Sequence, residues 1–229
     1  MLANTIVYRT ILAALCGIFA HSNCAFADVL FESGTLGPTG IPYADLGGAV
    51  PGTNVNPFVF PGVRFELTQP VVTSQIGGHF VVEGTAGTFF GAIVRLDDEN
   101  DFPNSTDLST PDVLGATTLT FPNPSAEVFG DLNLELDSGW YALVFGGGLF
   151  GTSGSGGAVR NGVNIGEPSY IAFDPNVNWA NLDIFGTFFD NHRFVVIGSI
   201  VPEPSTLHTF LTLLIVISSL CSRRCYHVV

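Results

Sequence analysis

The chain has 229 residues, no lysine and seven arginines against twenty acidic residues, which gives a formal net charge of −13. Between Asp28 and Ile200 only four arginines face nineteen aspartates and glutamates, a net charge of −15. Such a surface repels phosphate groups, because each phosphate contact needs a cation. Nucleic acid is therefore not an expected partner.

The four cysteines lie at positions 16, 24, 221 and 225, outside the central region. The region between them cannot form an internal disulfide, a cysteine–zinc site or a thiol nucleophile. Its stability must come from its apolar core alone, for which roughly 170 residues rich in Phe, Val, Leu and Ile are sufficient.

Residues 1–27 have the pattern of a secretory signal peptide with a short signal helix. Arg9 supplies the positive start, residues 10–20 form the apolar stretch, and Ala25-Phe26-Ala27 fits the small-x-small cleavage rule. We expect signal peptidase to cut after Ala27.

Residues 28–200 show apolar residues with a period of two and no run of ten or more with helical periodicity. Val63-Arg64-Phe65-Glu66-Leu67 alternates apolar and charged residues, and positions 131–136 alternate strictly. Gly77-Gly78, Pro122-Asn123-Pro124 and Asn161-Gly162 are turn signals between strands. The pattern predicts an all-β domain, an antiparallel β-sandwich of jelly-roll-like type. The predicted strands are 63–67, 71–76, 79–83, 88–96, 116–121, 131–136, 140–145, 169–173 and 193–200.

The densest group of oxygen donors is the run Asp97-Asp98-Glu99-Asn100-Asp101. Calcium prefers carboxylate and carbonyl oxygens, so Asp97, Asp98, Glu99 and Asp101 are candidate calcium ligands. The EF-hand order is broken, however, since Phe102-Pro103 occupies the loop. A solvated acidic loop is the alternative, and apart from calcium no cofactor is expected.

Aromatic residues suggest a second kind of site. Trp140, Tyr170 and Trp179 could form a face on which sugar rings stack, and core packing is the alternative for each.

No catalytic pattern stands out. His79 and His192 are the only histidines between Asp28 and Ile200, and no G-x-S-x-G motif occurs. Residues 146–151 match G-x-G-x-x-G, but the glycine- and serine-rich stretch that follows cannot open the helix a dinucleotide site requires. We expect a protein that is not an enzyme.

Residues 201–229 form a separate C-terminal segment. Pro202-Glu203-Pro204 is followed by an apolar stretch at about 207–221 and then by Arg223-Arg224. As a helix, the fifteen residues of the stretch cover about 22 Å, short of a hydrocarbon core of roughly 30 Å. A transmembrane helix is still predicted, with the two arginines held on the cytoplasmic side.

The order Pro-Glu-Pro, apolar helix and arginine pair resembles the PEP-CTERM sorting signal of Gram-negative and related bacteria. The resemblance covers about 28 residues, from Val201 to the end, with Pro202, Glu203 and Pro204 as the sorting motif. It implies a brief inner-membrane anchor, removal of the tail by an exosortase, and association with the envelope or extracellular polysaccharide. Physically, the prolines favour an extended, exposed segment that a processing enzyme can reach.

Three functions follow as hypotheses. The first is an exported, non-catalytic domain with a structural or adhesive role in the envelope or matrix. The second is a carbohydrate-binding module, with calcium as a stabilising ion. The third and least favoured is a secreted hydrolase.

Overall fold

The computed structural model describes residues 27–46, 52–182 and 191–201. The described residues form β-strands and contain no α-helix, and Tyr43–Asp45 forms a short 3-10 helix. The strands are β1 Asp28–Glu32, β2 Gly52–Val55, β3 Phe60–Leu67, β4 Val71–Val82, β5 Thr88–Leu96, β6 Val113–Thr120, β7 Ala126–Asp131, β8 Glu135–Leu136, β9 Gly139–Gly146, β10 Gly156–Val159, β11 Ser169–Asp174, β12 Asn178–Asn181 and β13 Phe194–Ile200.

The strands form two antiparallel sheets. The seven-stranded sheet has the order β1-β13-β4-β10-β2, with β7 and β8 also paired with β4. The six-stranded sheet has the order β12-β11-β3-β9-β5-β6. The predicted antiparallel β-sandwich is therefore confirmed at the level of fold class.

Aromatic side chains fill the space between the sheets. Phe80 of β4 is fully buried and contacts Phe89, Phe145 and Phe194, with ring centroids 4.7, 4.8 and 6.1 Å away. These residues belong to one apolar cluster drawn from both sheets. This packing holds the sheets together without a disulfide.

The six-stranded sheet has a second apolar cluster on its opposite face, which we call the outer cluster. Its buried members are Phe60, Phe90, Ala92, Val94, Leu96, Leu108, Ala142, Val144 and Ile171. Strands β5 and β9 contribute alternate residues to the two clusters. They are apolar on both faces because both faces are covered, as in strands of fully buried sheets.

Two glycines that suggested a turn lie inside a strand. Gly77-Gly78 separates two predicted strands, whereas β4 runs without interruption through both. A Cβ on Gly77 would lie 2.1 Å from the carbonyl oxygen of Val128, and one on Gly78 would lie 2.2 Å from that of Arg193. These glycines let β7 and β13 approach β4 from its two edges.

Other boundaries differ from the prediction as well. The predicted strand at 131–136 is divided between the end of β7 and the two-residue β8. Leu132 and Leu136 are nevertheless buried, as the alternation indicates. The short strands β1, β2, β10 and β12 are absent from the prediction, because none of them alternates apolar and polar residues.

The two ends of the chain lie outside the described residues. This applies to the signal helix before Ala27, the sorting motif Pro202-Glu203-Pro204, the predicted span at 207–221, and Arg223 and Arg224. Across residues 27–46, 52–182 and 191–201, no helix is long and apolar enough to cross a membrane.

Replacing Phe80 by alanine should destabilise the fold by about 3–5 kcal/mol, because it removes a ring packed against three others. Phe58 is the matched control, since its side chain is 66% exposed and Phe58→Ala should change stability by less than about 0.5 kcal/mol. Urea unfolding of both variants gives the comparison. Equal losses would contradict this description of the core.

Candidate functional site

Residues 97–112, between β5 and β6, lie over the outer cluster, and we call them the cover segment. Leu108 is buried in that cluster, and Phe102 packs against it. Leu108 adopts a left-handed backbone conformation with φ of 51°. Residues other than glycine rarely adopt this backbone conformation. Leu108 adopts it with its side chain buried in the outer cluster.

Arg64 of β3 connects the cover segment to the sheet. Its side chain lies on the outer face, and the residue is only 3% exposed. Its Nε donates to the carbonyl oxygen of Asp101 at 2.7 Å, and Nη2 donates to that of Asn100 at 3.2 Å. Its guanidinium carbon lies 4.3 Å from the centre of the Phe102 ring. One buried cation therefore holds three successive residues of the cover segment.

The same guanidinium also reaches the neighbouring strands. Its Nη1 donates to Ser169 Oγ of β11 at 2.9 Å and to Asn181 Oδ1 of β12 at 2.7 Å. A buried charge is tolerated only when such partners replace its water. Arg64 thus joins three strands and the cover segment at one point.

A cleft opens beside Arg64. Strand β11 pairs with β3 only as far as Arg64, whose partner is Ser169, while β3 continues to Leu67. Because β11 does not extend alongside Phe65 and Glu66, a notch is left next to these two residues. Phe31 of β1, in the other sheet, also lines this notch. The cleft has a volume of about 350 Å³, near the lower end of the range for small-molecule sites.

The walls of the cleft come from three parts of the chain. Glu66 and Trp140 are directly opposite each other on β3 and β9. Glu99 and Asn100 of the cover segment form another wall. The third wall is the loop before β11, with Ile165, Glu167, Pro168 and Ser169. The cleft thus combines one indole ring and three carboxylates with the guanidinium of Arg64.

The structure does not bring the four predicted calcium ligands together around one metal position. The carboxylate of Asp101 accepts hydrogen bonds from the backbone N–H groups of Asp97 and Phe102, each at 2.8 Å. Asp98 accepts one from the N–H of Asn100 at 2.7 Å, and Glu99 lines the cleft instead. In the part of the chain that the structure describes, no three His, Cys, Asp or Glu side chains are grouped to hold a metal ion. The carboxylates of Asp98 and Asp101 therefore accept hydrogen bonds that fix the backbone at the start of the cover segment.

The three predicted sugar-stacking residues are also separated. Tyr170 is 8% exposed, and its hydroxyl is 2.8 Å from the carbonyl oxygen of His192 and 2.9 Å from Asn164 Oδ1. It belongs to the inner core because alternate residues of β11 face inward. Trp140 and Trp179 both pack against the outer cluster, and Trp140 alone among the three lines the cleft.

The two histidines lie in a buried polar network on the seven-stranded sheet. Nδ1 of His79 is 2.6 Å from Asn161 Oδ1, and Nε2 of His192 is 2.8 Å from Thr53 Oγ1. The Ser33 hydroxyl donates to the backbone carbonyl of His192 at 2.7 Å. Ser33 therefore does not pair with the imidazole as a nucleophile would with its base.

The hydrogen bonds determine which nitrogen of His79 carries the proton. Asn161 Oδ1 also accepts from the backbone N–H of Gly37 at 2.7 Å, so this oxygen is an acceptor and His79 Nδ1–H donates to it. Nε2 is then unprotonated, and it has no partner among the residues that the structure describes. Burial lowers the pKa of His79, and this effect exceeds the opposing effects of Asn161 and Glu127.

Arg193 lies beside this network, directly before β13, and its ion pairs reach two other strands. Its guanidinium is 2.6 Å from Glu32 of β1 and 2.6 Å from Glu127 of β7. Burial by itself would lower the pKa of Arg193, but these two carboxylates raise it overall. Two of the four arginines between Asp28 and Ile200, Arg64 and Arg193, therefore stabilise the fold through contacts with other strands and loops.

Comparison with known proteins finds no matching family model, and no curated protein matches the chain significantly.

Because the pKa of His79 is lower in the fold than in the unfolded chain, where it is about 6.5, acid should destabilise the protein. The unfolded state binds a proton that the folded state does not, so stability is complete above about pH 6.5 and falls as pH decreases below it. The slope attributable to His79 should approach 1.4 kcal/mol per pH unit at most.

Urea unfolding between pH 7.5 and 5 measures this slope in the wild type and in His79→Gln. The variant should have a flatter pH profile, whatever its absolute stability. Parallel profiles would show that His79 does not contribute.

Proposed function

We propose that this chain is an exported, non-catalytic β-sandwich protein of jelly-roll-like topology, sorted through its C-terminal segment and retained in the cell envelope or extracellular matrix. Signal peptidase removes residues 1–27, and an exosortase recognises Pro202-Glu203-Pro204 and removes the membrane-held tail. The jelly-roll description is supported by the path of the chain, since most consecutive strands lie in opposite sheets.

The observation that carries the proposal is where the first described strand begins and the last described strand ends. Strand β1 starts at Asp28, directly after the predicted signal-peptidase site. Strand β13 ends at Ile200, and the backbone N–H of Val201 donates to the carbonyl of Pro70 at 3.0 Å, one residue before the motif. Cleavage at both sites would leave all thirteen described strands intact.

The two ends also lie close together. Asp28 is paired with Gly198 on the adjacent edges of β1 and β13. The end of β13, from which the chain continues into the sorting segment, therefore lies beside the start of β1. This arrangement suits a domain that hangs from one membrane attachment until it is processed.

The intact mass of the protein from envelope and medium tests this proposal. With the cognate exosortase present, the chain should begin at Asp28 and end near Pro202–Ser205. Without the enzyme, or with Glu203 and both flanking prolines replaced by alanine, it should extend to Val229. A tail retained in the presence of the enzyme would contradict the sorting proposal.

A second candidate function, carbohydrate binding, is favoured by the cleft. An aromatic ring beside carboxylate and amide groups can contact the C–H face of a sugar while the polar groups accept from its hydroxyls. Trp140 next to Glu66, Glu99 and Asn100 provides this combination. An extracellular polysaccharide is the corresponding partner.

Fluorescence can test this second function because the chain has only two tryptophans. In Trp179→Phe, Trp140 is the only reporter, and oligosaccharides that bind should change its emission. In Trp140→Phe, the remaining Trp179 should not respond. A response from Trp179 alone, or from neither residue across a broad oligosaccharide panel, would contradict binding in the cleft.

A further inference from the structure

The negative charge of the cleft favours one class of ligand, a cationic one. Glu66, Glu99 and Glu167 are exposed, and none of their carboxylates forms a hydrogen bond or ion pair with another of the described residues. This contrasts with Glu32 and Glu127, which both bind Arg193. The cleft therefore presents three carboxylates that are available to a ligand.

In the part of the chain that the structure describes, the guanidinium of Arg64 makes no ion pair with these three carboxylates. The donors of Arg64 point to the carbonyl groups of Asn100 and Asp101 and to the side chains of Ser169 and Asn181. With three glutamates against this one guanidinium, the cleft has an excess of negative charge. The domain charge of −15 extends that field, attracts cations and repels anionic sugars.

Trp140 adds a second feature that suits a cation. An indole ring attracts positive charge over its face, and an ammonium group can also donate up to three hydrogen bonds to carboxylates. A neutral sugar would use the ring of Trp140 but would leave the excess charge unmatched. An ammonium group attached to a sugar ring uses both.

We propose that the cleft binds an amine-bearing sugar, with the ammonium group among Glu66, Glu99 and Glu167 and the sugar ring against Trp140. This inference rests on the carbohydrate-binding candidate above and specifies its ligand as a polysaccharide that contains unacetylated hexosamine. Charge-assisted hydrogen bonds supply the preference over the acetylated sugar, which has an amide in place of the ammonium group.

Calorimetric titration of the processed protein with two β-1,4-linked tetramers tests this proposal. One tetramer is glucosamine, and the other is the N-acetylated form with the same length and linkage. At pH 6 and low salt, the amine form should bind at least tenfold more tightly. This preference should decrease as salt is raised, because salt screens exposed charges.

Glutamine variants test which glutamates are responsible for binding the glucosamine tetramer. Glu66→Gln and Glu167→Gln should each weaken binding of the glucosamine tetramer by roughly three- to tenfold, as expected for loss of a charge-assisted contact of about 1 kcal/mol. Glu135→Gln is the matched control, since Glu135 is an exposed glutamate on the other sheet. It should leave the affinity unchanged.

The remaining outcomes separate this inference from the function on which it rests. Equal affinity for both tetramers would overturn the amine preference and leave carbohydrate binding in place. No binding of either tetramer, together with no fluorescence response to any oligosaccharide, would overturn both. Competition by spermidine at the same concentration as the tetramer would show that the cleft recognises charge without the sugar, and would also overturn the proposal.

Discussion

The burial of one guanidinium, that of Arg64, is the constraint on which the outer half of the domain depends. A charge removed from water must be surrounded by fixed acceptors, and here they come from the cover segment, β11 and β12. By holding Asn100 and Asp101, Arg64 keeps Phe102 and Leu108 over the outer cluster. The six-stranded sheet is thereby buried on both faces.

The cleft is a consequence of the same arrangement. Strand β11 begins at the level of Arg64, and beyond that point β3 has no described partner on this edge, although it stays paired with β9 on the other. The cover segment stands on one side of the resulting notch and the loop before β11 on the other, so the carboxylates of Glu99 and Glu167 are carried to the site by the elements that Arg64 joins. Arg64 therefore both stabilises the outer half of the domain and lines the candidate binding site.

The sequence predicted part of this arrangement. The alternation from Val63 to Leu67 indicates that Arg64 and Glu66 share a face, and they do. What alternation cannot show is that this face is covered, because the cover depends on pairing between residues distant in the chain. The acidic run at 97–101 likewise leaves a calcium loop and a solvated acidic loop as alternatives, and in the structure the carboxylates of Asp98 and Asp101 accept from local N–H groups. Tyr170 and Trp140 have similar sequence surroundings, and only the register of β11 and β9 assigns one to the core and the other to the cleft.

Hydrogen exchange of Arg64→Lys, compared with Arg95→Lys as an exposed arginine on β5 of the same sheet, tests most directly whether Arg64 holds the cover segment. Lysine keeps the charge but cannot reproduce the planar set of donors. Amides of residues 97–112 should exchange at least tenfold faster in the Arg64 variant, since charge-assisted hydrogen bonds are worth about 1.5–3 kcal/mol each. Strands β4 and β13 should keep their protection, and Arg95→Lys should behave as the wild type. Unchanged exchange in the cover segment would contradict the account.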